Sequence, residues 1–240
     1  MAKYVIDDST LTAIANNIRL KKRTTDFITP EDMPAEIASI ESGGGDDGVD
    51  KLVSNTMSSL KSNATSVRQY AFRGATALVS VDLPKATSVA TNAFYGCTKL
   101  TSVNMPLVKS IGDNAFNNCT ALTSIVLPSL TTGAGYAFRY GNKLATIDLH
   151  VITNIVAQMF YECRGLKTLI LRSPTMCTLA NTNAFTNCYK MLGTTNSSYN
   201  PNGEQGYVYV PSALKSQYES AATWTNFKFR AIEDYPEICG

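Results

Sequence analysis

The chain has little of what most catalytic and metal sites require. It contains a single histidine, His150, and its six cysteines include no Cys-x-x-Cys pair. One histidine excludes mechanisms that need two, and we interpret His150 as an exposed or loop residue rather than a general base. The segment Gly133-Ala-Gly135 lacks the third glycine and the following helix of a phosphate-binding loop. An enzyme is therefore the class that the sequence favours least, and no catalytic residue, metal or cofactor is assigned.

Charge and long apolar runs are also scarce. Charged residues make up 17% of the 240 residues and the formal net charge is +2, which gives no reason to expect nucleic acid as a partner. No stretch approaches the roughly 20 apolar residues of a membrane span, so membrane insertion is not expected. The first residues lack the apolar core of a signal peptide, and we expect any export to follow another route.

A phenylalanine that returns every 22 residues organises the central part of the chain. Each is followed by a small residue at the third position, a leucine at the sixth, and then an alternating apolar pair. Such a period is typical of a solenoid, in which each unit buries its apolar face against the next. The five regular phenylalanines, and a sixth that follows 25 residues later, are Phe72, Phe94, Phe116, Phe138, Phe160 and Phe185.

Each unit contains two apolar segments separated by a turn. The alternating pair predicts a strand with one buried face, and strands from successive units should form a parallel sheet. The segment before each phenylalanine predicts a second short strand, and Asn-Ala-Phe-x-x-Cys predicts a turn or short helical piece. The fold class is therefore a mainly β repeat solenoid of about six coils, with a two-helix module before it and a strand-helix-strand cap after it.

The cysteines are interpreted as structural thiols. Four of them fall in one column, where successive side chains should lie about 4.8 Å apart and parallel, which is too far for a disulfide. Free cysteine suits a column of small buried side chains. Cys177 and Cys239 are left unassigned, and the column contains Cys97, Cys119, Cys163 and Cys188.

These patterns divide the chain into four regions. They are a helical attachment module, a Gly/Asp linker, the solenoid and the C-terminal cap, at residues 1–42, 43–50, 51–190 and 191–240. Within the linker, Asp46, Asp47 and Asp50 could form a calcium site. A solvated linker is favoured instead, because the surrounding segment is rich in glycine.

The C-terminal region is expected to cover the open end of the solenoid, since an open end exposes strand edges and apolar core. Leu214, Tyr218 and Trp224 are the side chains expected to cover it. The predicted elements are a strand, a helix with Ser212 as its N-cap, and a second strand, at residues 206–211, 212–222 and 227–232.

Two resemblances add context. The phrase Asn-Ala-Phe-x-x-Cys-x-x-Leu-x-x-Ile-x-Leu-Pro resembles the BspA-type leucine-rich repeat over residues 60–190. That family is known from bacterial surface proteins and other adhesive or binding roles, which implies a binding function without catalysis. The N-terminal segments at residues 11–19 and 28–40 resemble the start of tail or baseplate-associated proteins of phages and prophages of Gram-positive bacteria. This second resemblance implies attachment to a tail or baseplate, for which the candidate residues are Leu11, Ile14, Ile18, Ile37 and Ile40.

The candidate ligand site is an exposed ridge of residues that vary from coil to coil. Freedom in solvent accounts for such variation, and the alternative is recognition, because tyrosine offers a large contact area at low entropic cost. The ligand would be a host surface protein or a glycan. The ridge candidates, beside the phenylalanines and at outward strand positions, are Arg73, Tyr95, Arg139, Tyr140, Tyr161, Asp82, Asn104 and Asp148. Ile170 is also expected to point outward from its strand.

Three functions remain open at this point. The leading hypothesis is a non-enzymatic phage or prophage virion protein whose N-terminus attaches to the tail and whose repeats contact the host. The alternative is a BspA-like adhesin on the bacterial cell surface. A purely structural virion component is the third, and the oligomeric state, including a homo-oligomer, is open in every case.

Overall fold

The computed structural model describes residues 58–239. These residues form a stack of coils, and five of the coils contain a longer strand, a short strand and a turn. The coil that begins with Ser124–Leu127 has only an isolated β-bridge, at Thr132, in place of the short strand. The prediction of a mainly β repeat fold with parallel sheets is therefore confirmed. Outside the described residues lie the predicted attachment module, the linker and the attachment candidates Leu11, Ile14, Ile18, Ile37 and Ile40.

Two sets of strands recur because each coil contains two apolar segments. The longer set consists of β1 (Ser59–Lys61), β3 (Ser80–Asp82), β5 (Ser102–Asn104), β7 (Ser124–Leu127), β8 (Thr146–Leu149), β10 (Thr168–Leu171), β12 (Tyr207–Val210) and β13 (Phe229–Ala231). The shorter set consists of β2 (Ser66–Val67), β4 (Ser88–Val89), β6 (Ser110–Ile111), β9 (Asn154–Ile155) and β11 (Thr178–Leu179).

The strands pair in parallel with a shift of one coil, so that Val81 aligns with Val103 and Ile125 with Ile147. The longer strands form two sheets, in the orders β1-β3-β5 and β13-β12-β10-β8-β7. The shorter strands form β2-β4-β6 and β11-β9. The expected single sheet is thus divided, because β5 and β7 touch but do not pair within the described part of the chain.

The phenylalanine column forms the centre of the core. Neighbouring rings from Phe72 to Phe185 lie with their centroids 5.1 to 5.7 Å apart. Phe72, in the first described coil, is half-buried, whereas the rings above it are at most 1% exposed. The turns also bond to one another, since the Phe116 backbone N–H donates to the Ala137 carbonyl oxygen at 2.8 Å. The turn side of the solenoid is therefore held by a hydrogen-bond ladder as well as by stacking.

One coil replaces its usual apolar residue with glycine. The column that holds Val89 and Ile111 continues at Gly133, where a Cβ atom would lie only 2.5 Å from Cε of Met159. Met159 itself stands where the preceding coil has Ala137, and it is fully buried. A larger side chain on one coil thus fills the space that the glycine leaves on its neighbour.

The cysteine column is a row of thiol hydrogen bonds. Each of its four Sγ atoms donates to the carbonyl oxygen of the phenylalanine one coil earlier, at 2.9 to 3.3 Å. These thiols are buried and free, so their interpretation as structural groups is confirmed. Cys177 is also free and buried, and its backbone N–H donates to the Tyr218 hydroxyl at 2.6 Å.

The C-terminal region continues the stack with β12 and β13. Its helix begins at Ser212 itself, so the prediction of Ser212 as the N-cap is wrong by one residue. The Ser212 N–H instead donates to the Glu233 carboxylate, at 3.0 and 3.3 Å, which satisfies a donor at the helix start. The α-helices are α1 (Tyr189–Leu192), α2 (Ser212–Ser220) and α3 (Pro236–Cys239), and the 3-10 helices are Thr182–Phe185, Ala222–Trp224 and Ile232–Asp234.

Aromatic side chains of this region cover the last phenylalanine. Trp224 and Tyr218 are fully buried, and the Trp224 ring centroid lies 6.5 Å from that of Phe185. The Trp224 Nε1–H donates to the Cys177 carbonyl oxygen at 3.2 Å, so the indole is satisfied as well as buried. Leu214 is partly buried and packs against the same core.

Candidate binding surface

Each of the first five turns holds two residues in the left-handed backbone conformation, one two positions before the phenylalanine and one two positions after it, whereas the turn of Phe185 holds only Asn187. Glycine and asparagine adopt this conformation at low cost, whereas other residues lose roughly 1–2 kcal/mol. We call these positions, together with the position directly after each phenylalanine, the turn ridge. In the second and third coils the left-handed residues are Asn92, Gly96, Asn114 and Asn118. In the fourth and fifth coils they are Tyr136, Tyr140, Gln158 and Glu162.

Arg139 lies within a cluster of three tyrosines on the turn ridge. Its guanidinium carbon is 5.0, 4.4 and 5.2 Å from the ring centroids of Tyr136, Tyr140 and Tyr161. Its Nη2 also donates to the Tyr140 hydroxyl at 2.7 Å. Each such cation–π contact contributes about 0.5–1 kcal/mol at a partly exposed site. The cluster therefore fixes the arginine side chain and brings together three of the predicted ligand residues.

A second arginine cluster stands three coils away. The Arg73 guanidinium lies 5.7 Å from the Tyr70 ring centroid and 5.4 Å from that of Tyr95. Arg73 and Tyr70 are exposed and Tyr95 is half-buried. The turn ridge thus carries the same pairing of arginine with tyrosine in the first and second coils.

Between the two clusters the ridge has an asparagine. Asn117 is only 3% exposed, and its Nδ2 donates to the Asn114 Oδ1 at 2.7 Å. Its own Oδ1 is buried without a hydrogen-bond partner among the described residues. The turn ridge therefore changes along its length from arginine and tyrosine to short amides and back.

A further charged network adjoins the fifth coil. Glu162 accepts a hydrogen bond from the Arg164 Nε at 2.7 Å and another from the Asn187 Nδ2 at 2.8 Å. The hydrogen bond to Glu162 also raises the pKa of Arg164 above its ordinary value. The Arg164 guanidinium lies 4.3 Å from the ring centroid of Tyr199, a residue of the loop before the last two longer strands. The repeat pattern gave no signal for this contact, because Tyr199 lies outside the repeats.

The predicted strand-face residues form a separate group. Asp82 accepts a hydrogen bond from the Asn104 Nδ2 at 2.7 Å and pairs with Lys61 at 3.1 Å. The Asn104 hydrogen bond, followed by that from Lys61, lowers the pKa of Asp82. Asp82 and Asn104 thus contact each other and Lys61, whereas the ridge arginines contact tyrosines. The residues of the expected ridge therefore make two separate sets of contacts, one among the turns and one on the strands.

Two strand positions expected to face solvent are covered. Asp148 is 7% exposed, because Arg172 binds its carboxylate through Nε and Nη2 at 2.8 to 3.1 Å and His150 lies 3.4 Å away. Ile170 is 1% exposed and packs against Tyr209. The expected exposure is wrong for both, since longer side chains from later coils fold over the face of the sheet. Asp148 is consequently bound within the protein rather than presented to a ligand.

Neither a metal centre nor a membrane span is found in the described part of the chain. Within residues 58–238, no three His, Cys, Asp or Glu side chains lie close enough together to hold a metal ion. No helix in this range is long and apolar enough to cross a bilayer.

Comparison with protein families assigns the repeats. The model of the BspA type leucine-rich repeat region matches residues 65–192 in six copies, which is more than half of the chain. The chain belongs to this family. The BspA-type repeats span the turn ridge, and the match indicates no catalytic family. A search of curated proteins finds no match.

Several solved structures are similar to this BspA-type protein. A T. pallidum leucine-rich repeat protein is 22% identical over 70% of this chain and 79% of its own, with a TM-score of 0.43. A leucine-rich cell surface protein from Faecalibacterium prausnitzii is 25% identical over 61% of this chain, with a TM-score of 0.41. A Bacteroides ovatus leucine-rich repeat protein is 14% identical over 71% of this chain, with a TM-score of 0.32. The chain spans 43% and 56% of the last two proteins.

Proposed function

We propose that this chain is a non-enzymatic binding protein of the bacterial cell surface, with an adhesin-like role, and that its turn ridge recognises a protein or glycan. The observation that carries the proposal is the clustering of Arg73 with Tyr95, and of Arg139 with Tyr140 and Tyr161, on a family scaffold associated with adhesion. Tyrosine and arginine are the residue types that dominate binding energy in recognition surfaces. Three ring contacts and a hydrogen bond hold the Arg139 side chain in place, which lowers the entropic cost of binding.

A cell-binding assay with ridge variants tests this proposal. In the full-length chain, changing Tyr95, Tyr140 and Tyr161 together to alanine should reduce binding to target cells by at least tenfold, which corresponds to about 1.4 kcal/mol. The control replaces Asp82 and Asn104 with alanine, because these residues lie on the strand face. Binding that is unchanged in the ridge variant, or equally reduced in the control, would contradict the assignment of the ridge. Far-UV circular dichroism must be the same for all variants.

A second candidate function is a virion protein attached to a phage or prophage tail or baseplate. It is favoured by the resemblance of residues 11–19 and 28–40 to the start of such proteins. In this case Leu11, Ile14 and Ile18 would contact the tail, with Ile37 and Ile40 beside them. Full-length protein should capture tail or baseplate components, and replacing Leu11, Ile14 and Ile18 with aspartate should abolish the capture. If wild-type protein captures no tail or baseplate component, the virion hypothesis is wrong.

A purely structural role would have its own experimental signature. Wild-type protein would then bind no cells and no glycans, yet deleting it would block particle assembly. That outcome would reject the adhesin proposal and the ridge together.

A further inference from the structure

Positive charge is concentrated on one side of the solenoid. The six turn segments, each running from four residues before the phenylalanine to five after it, contain two acidic residues and seven basic ones. The turns therefore carry an excess of five positive charges, although the whole chain has a formal net charge of only +2. The acidic residues are Asp113 and Glu162, and the basic ones are Arg68, Arg73, Lys99, Arg139, Lys143, Arg164 and Lys190.

Several of these cations have no carboxylate partner within residues 58–238. Glu162 pairs with Arg164. Within residues 58–238, by contrast, no carboxylate pairs with Arg73, Lys99, Arg139 or Lys143, and the two arginines contact tyrosine rings instead. Uncompensated cations on one surface attract anionic partners and raise their local concentration.

The spacing of Arg73 and Arg139 favours an extended partner. Arg73 and Arg139 belong to coils three steps apart, and at about 4.8 Å per step their levels differ by roughly 14 Å. One small acid cannot reach both. A polymer that carries repeated acidic groups and runs along the stack can contact both, and guanidinium groups suit carboxylate and sulfate oxygens through paired hydrogen bonds.

The rest of the ridge favours a polysaccharide over nucleic acid or protein. Single-stranded nucleic acid is bound by stacking bases on aromatic faces, whereas Tyr95, Tyr136 and Tyr140 already have an arginine over their rings. The second and third coils between the clusters offer the half-buried amides of Asn92, Asn114 and Asn118, which can donate to and accept from hydroxyl groups.

The buried core of a protein–protein interface is on average more apolar than the surface around it. The exposed aliphatic side chains of the repeats lie elsewhere, at the strands and the loops beside them, as Val79, Leu107, Val126 and Val151. The ridge itself combines cations, amides and tyrosines. Its chemistry therefore fits a polyanion rich in hydroxyl groups.

We propose that the turn ridge binds an acidic polysaccharide lying along the solenoid axis, with its acidic groups at Arg73 and Arg139. This inference rests on the proposed binding function and names its ligand class. The carboxylate or sulfate groups pair with the two arginines, and the sugar hydroxyls meet the asparagines between them. The tyrosines around Arg139 hold its guanidinium in place, so that little side-chain entropy is lost on binding.

The test uses full-length protein on immobilised polygalacturonate, dextran sulfate, neutral dextran and double-stranded DNA. At 0.1 M salt, binding is expected to polygalacturonate or dextran sulfate, with at least tenfold weaker binding to neutral dextran and to DNA. The variant Arg73→Gln/Arg139→Gln should weaken the acidic-polysaccharide affinity at least tenfold. It should also reduce the slope of log Kd against log salt by about two, because two ionic contacts are removed.

A matched control removes the same charge from another surface. Lys85 and Lys109 are exposed outside the turn segments, and Lys85→Gln/Lys109→Gln should change the affinity less than twofold. Equal losses in the two double variants would overturn the proposal, because they would indicate binding through net charge alone. Arg139→Lys keeps the charge but loses the planar donor pair, and we expect at least a threefold loss. A Lys variant that binds like wild type would contradict the guanidinium contact at Arg139.

The outcomes separate this inference from the function on which it rests. If wild-type protein binds target cells but neither acidic polysaccharide, the ligand class is wrong and the binding function stands. If it binds the polysaccharides but no cells, the proposed cell-surface function fails and the ligand class stands. Stronger binding to DNA than to either polysaccharide would also reject the ligand class. The exposed position of Arg73 allows Arg73→Gln alone to be used if the double variant does not fold.

Discussion

Gly133 and Met159 lie in adjacent coils and share one space in the core. Replacing both residues together should restore the stability that either single replacement removes. Gly133 occupies a column that valine or isoleucine fills in four other coils, and Met159 occupies one that alanine fills in the remaining five. A Cβ atom at Gly133 would meet Met159 Cε at 2.5 Å and Sδ at 3.0 Å. The double variant Gly133→Val/Met159→Ala would give both columns the residues of their neighbours.

The magnitudes follow from packing. Gly133→Val alone forces a branched side chain into occupied space, and overpacking of this kind costs about 1–3 kcal/mol. Met159→Ala alone empties a fully buried site, and such a deletion costs about 2–5 kcal/mol. If the two sites were independent, the double variant would lose about 3–8 kcal/mol. Replacing glycine with valine adds the same number of heavy atoms that replacing methionine with alanine removes. The free energy of unfolding of the double variant should therefore lie within about 1.5 kcal/mol of the wild-type value.

Urea unfolding measures this coupling directly. Trp224 is the one tryptophan of the chain and is fully buried, so its fluorescence reports unfolding of the last coils. Far-UV circular dichroism of the same samples reports the strands. Met159→Leu, which nearly conserves volume, should cost less than about 1.5 kcal/mol and serves as the control. A double variant whose loss equals the sum of the single losses would refute the reasoning, because the two side chains would then not share one space.

Three further predictions concern the core. Phe116→Ala should cost about 3–5 kcal/mol in urea unfolding, and Phe72→Ala clearly less, because Phe116 stacks between two rings while Phe72 is half-buried beside one; equal losses would contradict the stacking. Gly206→Ala should lower the free energy of unfolding by at least about 1–3 kcal/mol, since its Cβ would overlap the backbone of Lys167, and a variant of normal stability would contradict that approach. Burial raises the pKa of Cys163 to about 12. Alkylation of this thiol in the native protein at pH 8 should therefore be at least about a hundredfold slower than in the unfolded chain, and it should accelerate as the pH rises. Comparable alkylation rates in the two states would contradict the burial of Cys163.

The repeat made most of the architecture predictable from the sequence. An alternating apolar pair that recurs at a fixed period has one way to bury its face, and Val81, Ile125 and Ile147 lie where that pattern placed them. The division of the sheet between β5 and β7 was not predictable, because the periodic pattern passes through both strands without a break. The helix start at Ser212 was misplaced by one residue, since its cap comes from Glu233, a residue distant in sequence.

The surface was less predictable, because exposure depends on side chains that arrive from other coils. Asp148 follows the same alternation as Asp82, yet Arg172 one coil later covers it. The participation of Tyr136 in the Arg139 cluster was also missed. A signal for it existed, because the recurrence of asparagine and glycine around each phenylalanine marks positions that require a left-handed backbone. A tyrosine at such a position is unusual enough to attract notice.

The residues that break the repeat pattern lie in the same part of the turn ridge as Arg139. Tyr136, Tyr140, Gln158 and Glu162 hold the left-handed conformation at φ values of 57 to 62°, where the second and third coils use asparagine or glycine. Each costs roughly 1–2 kcal/mol that the fold itself does not demand, since the neighbouring coils form the same turn without it. Backbone strain of this kind is retained at functional sites more often than elsewhere. Two of these four residues surround Arg139, whose guanidinium has no carboxylate partner in residues 58–238. The fourth coil is therefore where substitutions should affect binding most for the least effect on the fold.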